Sequence, residues 1–133
     1  MSILGIGNDL VDCARFEALL SEPGTHFASR TFTPAERHLA RARAGREVEH
    51  LAARFAAKEA TLKALSQALA PRRLPTALAD LTEIEVLSDE DHRPSLVLSG
   101  AVLSLARAAS VARLHVSLSH EHGYAAAFVV AEG

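Results

Sequence analysis

The chain has 133 residues, enough for one domain with a real hydrophobic core. Its formal charge of −2 and pI near 6.4 give no bulk attraction to nucleic acid or to an anionic membrane, so any basic site has to be local. A single cysteine, Cys13, excludes an internal disulfide and a cysteine-built metal cluster. No apolar run approaches the ~20 residues of a membrane span, and the start carries no basic-then-apolar leader, so a cytoplasmic protein is expected.

Residues 2–11 read as a strand whose glycines, Gly5 and Gly7, leave one face bare for close packing or for a ligand. Asp9 stands at the strand's exit, where an aspartate forms a local turn or helix cap as readily as it does chemistry. A helix from about Asp12 to Leu20 should turn Phe16, Leu19 and Leu20 inward and Arg15 outward, and Ser21-Glu22-Pro23-Gly24 stops it. Thr33-Pro34-Ala35-Glu36 is a capping box with proline at the first helical position. It predicts a helix to about Ala44 and gives Glu36 a local structural task.

After Gly45 and a short polar link, a long helix is expected from near Glu49 to Leu69. Leu51, Phe55, Leu62, Leu65 and Leu69 fall on one apolar stripe, yet Lys58 projects from its middle, where a purely structural helix would carry leucine or alanine. Glu59 and Lys63 are neighbours on the flank, and Ala52, Ala56 and Ala60 leave room for something to approach. The acid and the two lysines could hold a metal and a phosphate. Equally, Glu59 and Lys63 could be a solvent-exposed pair while Lys58 snorkels to water.

Pro71-Arg72-Arg73-Leu74-Pro75 reads as a loop with a small basic cluster. Alternation from Leu81 to Leu87 predicts a half-buried strand, and Ser95 to Ser99 a second, joined as a hairpin through the polar run 89–94. Gly100 opens a helix to about Ala109 with Val102, Leu103 and Leu105 inward. Residues 114–120 and 124–130 form another hairpin across Glu121-His122-Gly123. The order β-α-α-α-β-β-α-β-β argues an α+β fold with a mainly antiparallel sheet against a long central helix. The chain has no dinucleotide fingerprint, phosphate-binding P-loop or nucleophile elbow. His115 and His120 are five apart on one strand and point to opposite faces, which disfavours a shared zinc site.

Four blocks, taken together, resemble one family. Gly5-Ile6-Gly7-Asn8-Asp9-Leu10-Val11, Phe32-Thr33-Pro34-Ala35-Glu36, Arg54-Phe55-Ala56-Ala57-Lys58-Glu59-Ala60 with Lys63-Ala64-Leu65, and Val116-Ser117-Leu118-Ser119-His120-Glu121 are similar to the holo-acyl-carrier-protein synthases. These are short 4′-phosphopantetheinyl transferases. The likeness spans nearly the whole chain in the right order, so 1–133 is expected to be a single domain of the 4′-phosphopantetheinyl transferase fold.

The resemblance implies transfer of 4′-phosphopantetheine from coenzyme A to a serine of apo acyl carrier protein, a step serving fatty acid biosynthesis, with release of adenosine 3′,5′-bisphosphate. It makes Asp9 and Glu59 ligands of Mg²⁺, a hard cation content with few protein oxygens. It assigns Lys63 to the diphosphate and the leaving group, and Arg54, Lys58, Ser119 and His120 to coenzyme binding. Glu59 is the first candidate to accept the serine proton, with His120 or Glu121 as the alternative. The family's trimeric assembly would bring His120 to coenzyme held by a neighbouring subunit, and would set Arg15 against the acidic carrier-protein helix. Two departures stand out. Ser66-Gln67-Ala68 replaces a glycine-rich turn, so the long helix should run on, and His92-Arg93-Pro94 replaces a turn that opens with glycine. The competing reading is a module that binds coenzyme A or the carrier protein without turnover.

Overall fold

The computed structural model describes residues 1–76 and 80–133. In chain order the elements are β1 (Ile3–Asp12), α1 (Cys13–Ser21), α2 (Phe27–Thr31), α3 (Pro34–Arg41), α4 (Glu47–Leu69), β2 (Ile84–Ser88), β3 (Pro94–Leu98), α5 (Gly100–Ala108), β4 (Arg113–Glu121) and β5 (Tyr124–Glu132). Both sheets are antiparallel: β1-β5-β4 has three strands and β2-β3 is a hairpin. The α+β expectation is met, with α4 lying across the inner face of the larger sheet.

Local chemistry explains most boundaries. Asp12 ends β1 and caps α1, its Oδ1 accepting from the backbone N–H groups of Ala14 and Arg15 at 3.0 and 3.3 Å. The capping box at Thr33 and Glu36 forms in both directions, but α3 ends at Arg41 because the chain turns through 42–45, with Gly45 at φ +79°. Asp80 overrides the alternation at Leu81: its Oδ1 accepts from the Thr82 N–H at 3.1 Å and draws Leu81–Glu83 into a 3₁₀ turn, so the strand starts at Ile84. Glu83 then caps α5 from a distance, accepting from the N–H groups of Ala101 and Val102 at 3.2 and 3.4 Å.

The alanines of α4 do not leave an open face. Ala52, Ala56, Ala60 and Ala64 are buried where α4 packs on β1 and β5, and what approaches Ala60 and Ala64 is β1 itself. A Cβ on Gly7 would collide with the Ala60 carbonyl, and one on Gly5 with that of Ala64. The paired glycines thus serve close packing, and this contact carries Asp9 to the side of α4 that presents Glu59 and Lys63. The helix does run through Ser66-Gln67-Ala68. Gln67 Oε1 accepts from the Ile6 N–H at 2.7 Å, satisfying a donor on an edge strand.

Lys58 is fully buried, and its place in the apolar stripe has a structural cause. Its Nζ donates to Glu36 Oε1 at 2.8 Å and to the carbonyls of Leu81 and Ile84 at 2.9 and 2.6 Å, and it stands 5.4 Å from the centre of the Phe32 ring. Three donors meet three acceptors. Burial pushes the ammonium below the ordinary lysine range, and the Glu36 carboxylate opposes that. Glu36 also accepts from the N–H groups of Thr33 and Val86, each at 2.9 Å. The pair ties α3, α4 and β2 together, so the expectation that Lys58 holds coenzyme phosphates is corrected.

Candidate active site

Two clefts flank α4. The first, of about 350 Å³, is lined by Asp9 from β1, Arg15 from α1, and Phe55 and Glu59 from α4. Carboxylates far apart in sequence share it because β1 and α4 cross at the glycines. Lys63 stands one turn beyond Glu59, and its Nζ donates to the Asn8 carbonyl at 2.9 Å and to Asp9 Oδ1 at 3.3 Å. It remains half exposed (54%). Burial, and then the negative charge of Asp9, pushes the Glu59 carboxyl above the usual carboxylate range, while Lys63 pulls it down.

Three carboxylates, those of Asp9, Asp12 and Glu59, stand against two cations, Arg15 and the neighbouring Lys63, so acid outnumbers base in this cleft. Among the described residues no three His, Cys, Asp or Glu side chains gather as a metal cage. The carboxylates of Asp9 and Glu59 are hard oxygen donors, and such a pair would suit a cation that completes its shell with phosphate oxygens and water, the habit of Mg²⁺. Arg15 lies on the rim of the same cleft.

The second cleft, of about 210 Å³, is cationic. Arg43, Arg46, His50, Arg54, His92 and His120 line it, together with Glu49 and Ser88. Arg54 is 7% exposed and donates through Nη2 to Ser88 Oγ at 3.1 Å, yet its Nε has no partner. Burial pushes Arg54 down to about 10, with Glu36 raising it and Arg43 lowering it further, so it is charged at neutral pH. Burial and the neighbouring arginines push His50 down to about 4, leaving a neutral imidazole whose Nε2 is also buried without a partner. His120 reaches the cleft from β4 and lies 2.5 Å from Glu49 through Nδ1.

The site residues expected from sequence are thus divided. Asp9, Glu59, Lys63 and Arg15 gather at one cleft, Arg54 and His120 at the other, and Lys58 at neither. Ser119 alternates with His120 and lies on the outer face of the sheet, opposite Ala126. Sequence reading missed Arg43, Arg46 and His50. The available signals were the basic run Arg41-Ala42-Arg43-Ala44-Gly45-Arg46 and the i,i+4 spacing that places His50 on the Arg54 face of α4.

The chain as a whole is similar to known proteins. Residues 5–129 match the model of the 4′-phosphopantetheinyl transferase superfamily. The chain is 46% identical to the holo-[acyl-carrier-protein] synthase of Frankia alni, over 99% of each chain, and 42% identical to that of Edwardsiella ictaluri, over 100% of each. Among solved structures, an ACPS–CoA complex from Chronobacterium ammoniagenes superposes with a TM-score of 0.86 at 41% identity, over 96% of each chain. A Helicobacter pylori holo-[acyl-carrier-protein] synthase in complex with coenzyme A gives 0.76 at 28% identity, over 96% of this chain and 99% of that one. Matched from end to end in sequence, and with α4 laid on the sheet as in those structures, the chain belongs to the holo-[acyl-carrier-protein] synthases of the 4′-phosphopantetheinyl transferase superfamily.

Proposed function

We propose that this chain, as one domain over 1–133, transfers 4′-phosphopantetheine from coenzyme A to a serine hydroxyl of apo acyl carrier protein, in the cytoplasm, and releases adenosine 3′,5′-bisphosphate. The observation that carries this reading is the meeting of Asp9 and Glu59 in one cleft with Lys63 beside them. Relatives solved with coenzyme A support the donor, and the curated relatives' names support the acceptor.

Asp9 and Glu59 would hold Mg²⁺, which when bound offsets the charge growing on the departing phosphate. Lys63, braced by Asn8 and Asp9, offers its remaining N–H donors to the same oxygens. The serine Oγ forms a bond to the phosphorus, the bond from that phosphorus to the leaving bisphosphate breaks, and the serine proton passes to a base. Glu59 fits that role in position, since it lines the same cleft as Asp9 and stands one helical turn from Lys63. His120 opens onto the other cleft and is less suited to it within one protomer.

The two clefts cannot serve one small substrate from a single protomer. His50 and Glu59 differ by nine positions on α4, about 900° of rotation, and so project from opposite sides. A second copy would bring a cationic cleft to a carboxylate cleft. The outer sheet face favours such packing, since Ile6, Leu10, Tyr124 and Phe128 are all exposed there. We read the assembly as a homotrimer with Arg54, Ser119 and His120 contributed across subunits, while Arg15 meets the acidic carrier protein. Phe128→Asp is expected to yield monomers by light scattering and to cut transfer more than ~10-fold, since the composite site is lost. A trimeric Phe128→Asp protein would contradict this packing.

The direct test is mass spectrometry of apo acyl carrier protein incubated with coenzyme A, Mg²⁺ and this protein. A gain of roughly 340 Da is expected, because only turnover leaves a covalent product. Coenzyme A binding without that gain would favour a binding module instead.

A further inference from the structure

Glu59, Lys63 and Gln67 are spaced four apart on α4 and so follow one edge of the helix. β1 runs antiparallel beside that edge, Gly7 against Ala60 and Gly5 against Ala64. It is an outer strand, paired with β5 on one side and, among the described residues, with no strand on the other. Two main-chain groups on the open side are answered by α4 side chains. The Ile6 N–H donates to Gln67 Oε1 at 2.7 Å, and the Asn8 carbonyl accepts from Lys63 Nζ at 2.9 Å. The stem of Gln67 also covers Gly5, where an added Cβ would stand 3.1 Å from that of Gln67.

Lys63 is half exposed on a long flexible stem, so only fixed acceptors can hold its ammonium in one direction. Its two acceptors are unequal. The contact with Asp9 Oδ1 is the longer, at 3.3 Å, and that carboxylate is the one committed to the cation in the transferase reading. The Asn8 carbonyl is then the anchor left, and its place depends on the backbone of β1. That backbone is least constrained just before Asn8, where Ile6 stands between Gly5 and Gly7. Gln67 ties down the single residue between them.

We propose that Gln67 is a positioning residue for the transfer. By holding the Ile6 N–H it fixes the Asn8 carbonyl and, through that carbonyl, the direction in which Lys63 offers its ammonium to the departing phosphate. The inference rests on the transferase reading above and adds to it a residue that acts only through Lys63. Ser66-Gln67-Ala68 stands where the resemblance leads one to expect a glycine-rich turn, and the continued helix is what brings a side chain to this place.

The test is a double-mutant cycle of Gln67→Met and Lys63→Ala in the full-length protein. Methionine keeps the length and helix propensity of glutamine and removes the amide acceptor. Gln67→Met is expected to lower kcat ~5-fold or more while KM for coenzyme A stays within about twofold, the mark of a group that acts on the reacting geometry and not on uniform binding. Transfer is then followed by mass spectrometry with enzyme in excess, so that the slower Lys63→Ala protein still gives a rate. In that background the same change should cost less than about twofold. Exchange of the Ile6 amide with solvent should quicken ~5-fold or more in Gln67→Met, and the melting temperature should fall by about 5 °C or less.

An unchanged kcat in Gln67→Met would overturn the proposal, as would a rise in KM alone. A loss of equal size with and without Lys63 would also overturn it, because Gln67 would then serve the fold at large. An Ile6 amide that exchanges no faster would remove the contact on which the role depends. Absence of transfer by the wild type would overturn the transferase reading, and this role with it, whatever the Ile6 amide shows.

Discussion

Glu59→Gln is expected to lower transfer of phosphopantetheine by at least ~10²–10³-fold, the scale of losing one preorganised electrostatic group at a reacting centre. The fold should be indifferent or slightly favoured. Glu59 is half-buried beside a second carboxylate, and burial and the charge of Asp9 both work against its ionised form. The neutral amide removes that repulsion without opening a cavity, so the melting temperature should hold or rise, the usual sign of a group kept for chemistry at the expense of stability. Single-turnover mass spectrometry of the carrier protein gives the rate, and a thermal melt gives the stability. Transfer within a few-fold of wild type would contradict the role assigned to Glu59.

Lys58→Met should do the reverse. Removing the lysine leaves the Glu36 carboxylate buried with an uncompensated charge and takes the donor from the carbonyls of Leu81 and Ile84. Breaking a buried pair from one side costs about 3–5 kcal/mol. For a chain of this size that corresponds to a fall in Tm of roughly 10–20 °C. At a temperature where the variant is still folded, its KM for coenzyme A should stay near that of wild type, because the ammonium is buried away from both clefts. A stable Lys58→Met protein with weakened coenzyme binding would mean that the lysine reaches the ligand after all. Urea unfolding together with steady-state kinetics separates the two outcomes.

What could be read in the sequence divides along the range of the interactions. The cap at Thr33, the start of α1 near Asp12, the hairpin through His122 and Gly123, and the length of α4 are set by residues a few positions apart and the sequence locates them within a few residues, although the capping aspartate is Asp12 and not Asp9. Lys58 shows the opposite case. Its oddity is visible in the helical stripe, but its partners lie on α3 and in the segment entering β2, and no local pattern joins Glu36 to Leu81 and Ile84. The alternation at Leu81 misleads because Asp80 rearranges the backbone there. The five-residue α2 carries no capping hydrogen bond at His26 and is held by tertiary packing, Phe27 standing 5.8 and 5.7 Å from the rings of Phe16 and Phe55.

For the site, the strand-helix crossing at Gly5 and Gly7 is only half legible. Alternating glycines announce a close approach but not what approaches. Helical spacing sets Glu59 beside Lys63 and only the family resemblance joins Asp9 to them, whereas the cationic cleft depends on loops whose meeting no motif records. His92 is the instructive position. Sequence marks it as a departure from glycine, and the structure gives the departing side chain a partner in Arg43.

The central claim is that Asp9 and Glu59 share one divalent cation. Titration with Mn²⁺ in the presence of coenzyme A, followed by loss of the free-ion electron paramagnetic resonance signal, addresses it without reference to turnover. Wild type should bind one ion per protomer, and Asp9→Asn and Glu59→Gln should each weaken that binding by ~10-fold or more. Wild-type Mn²⁺ affinity retained in both variants would place the metal elsewhere and contradict the account.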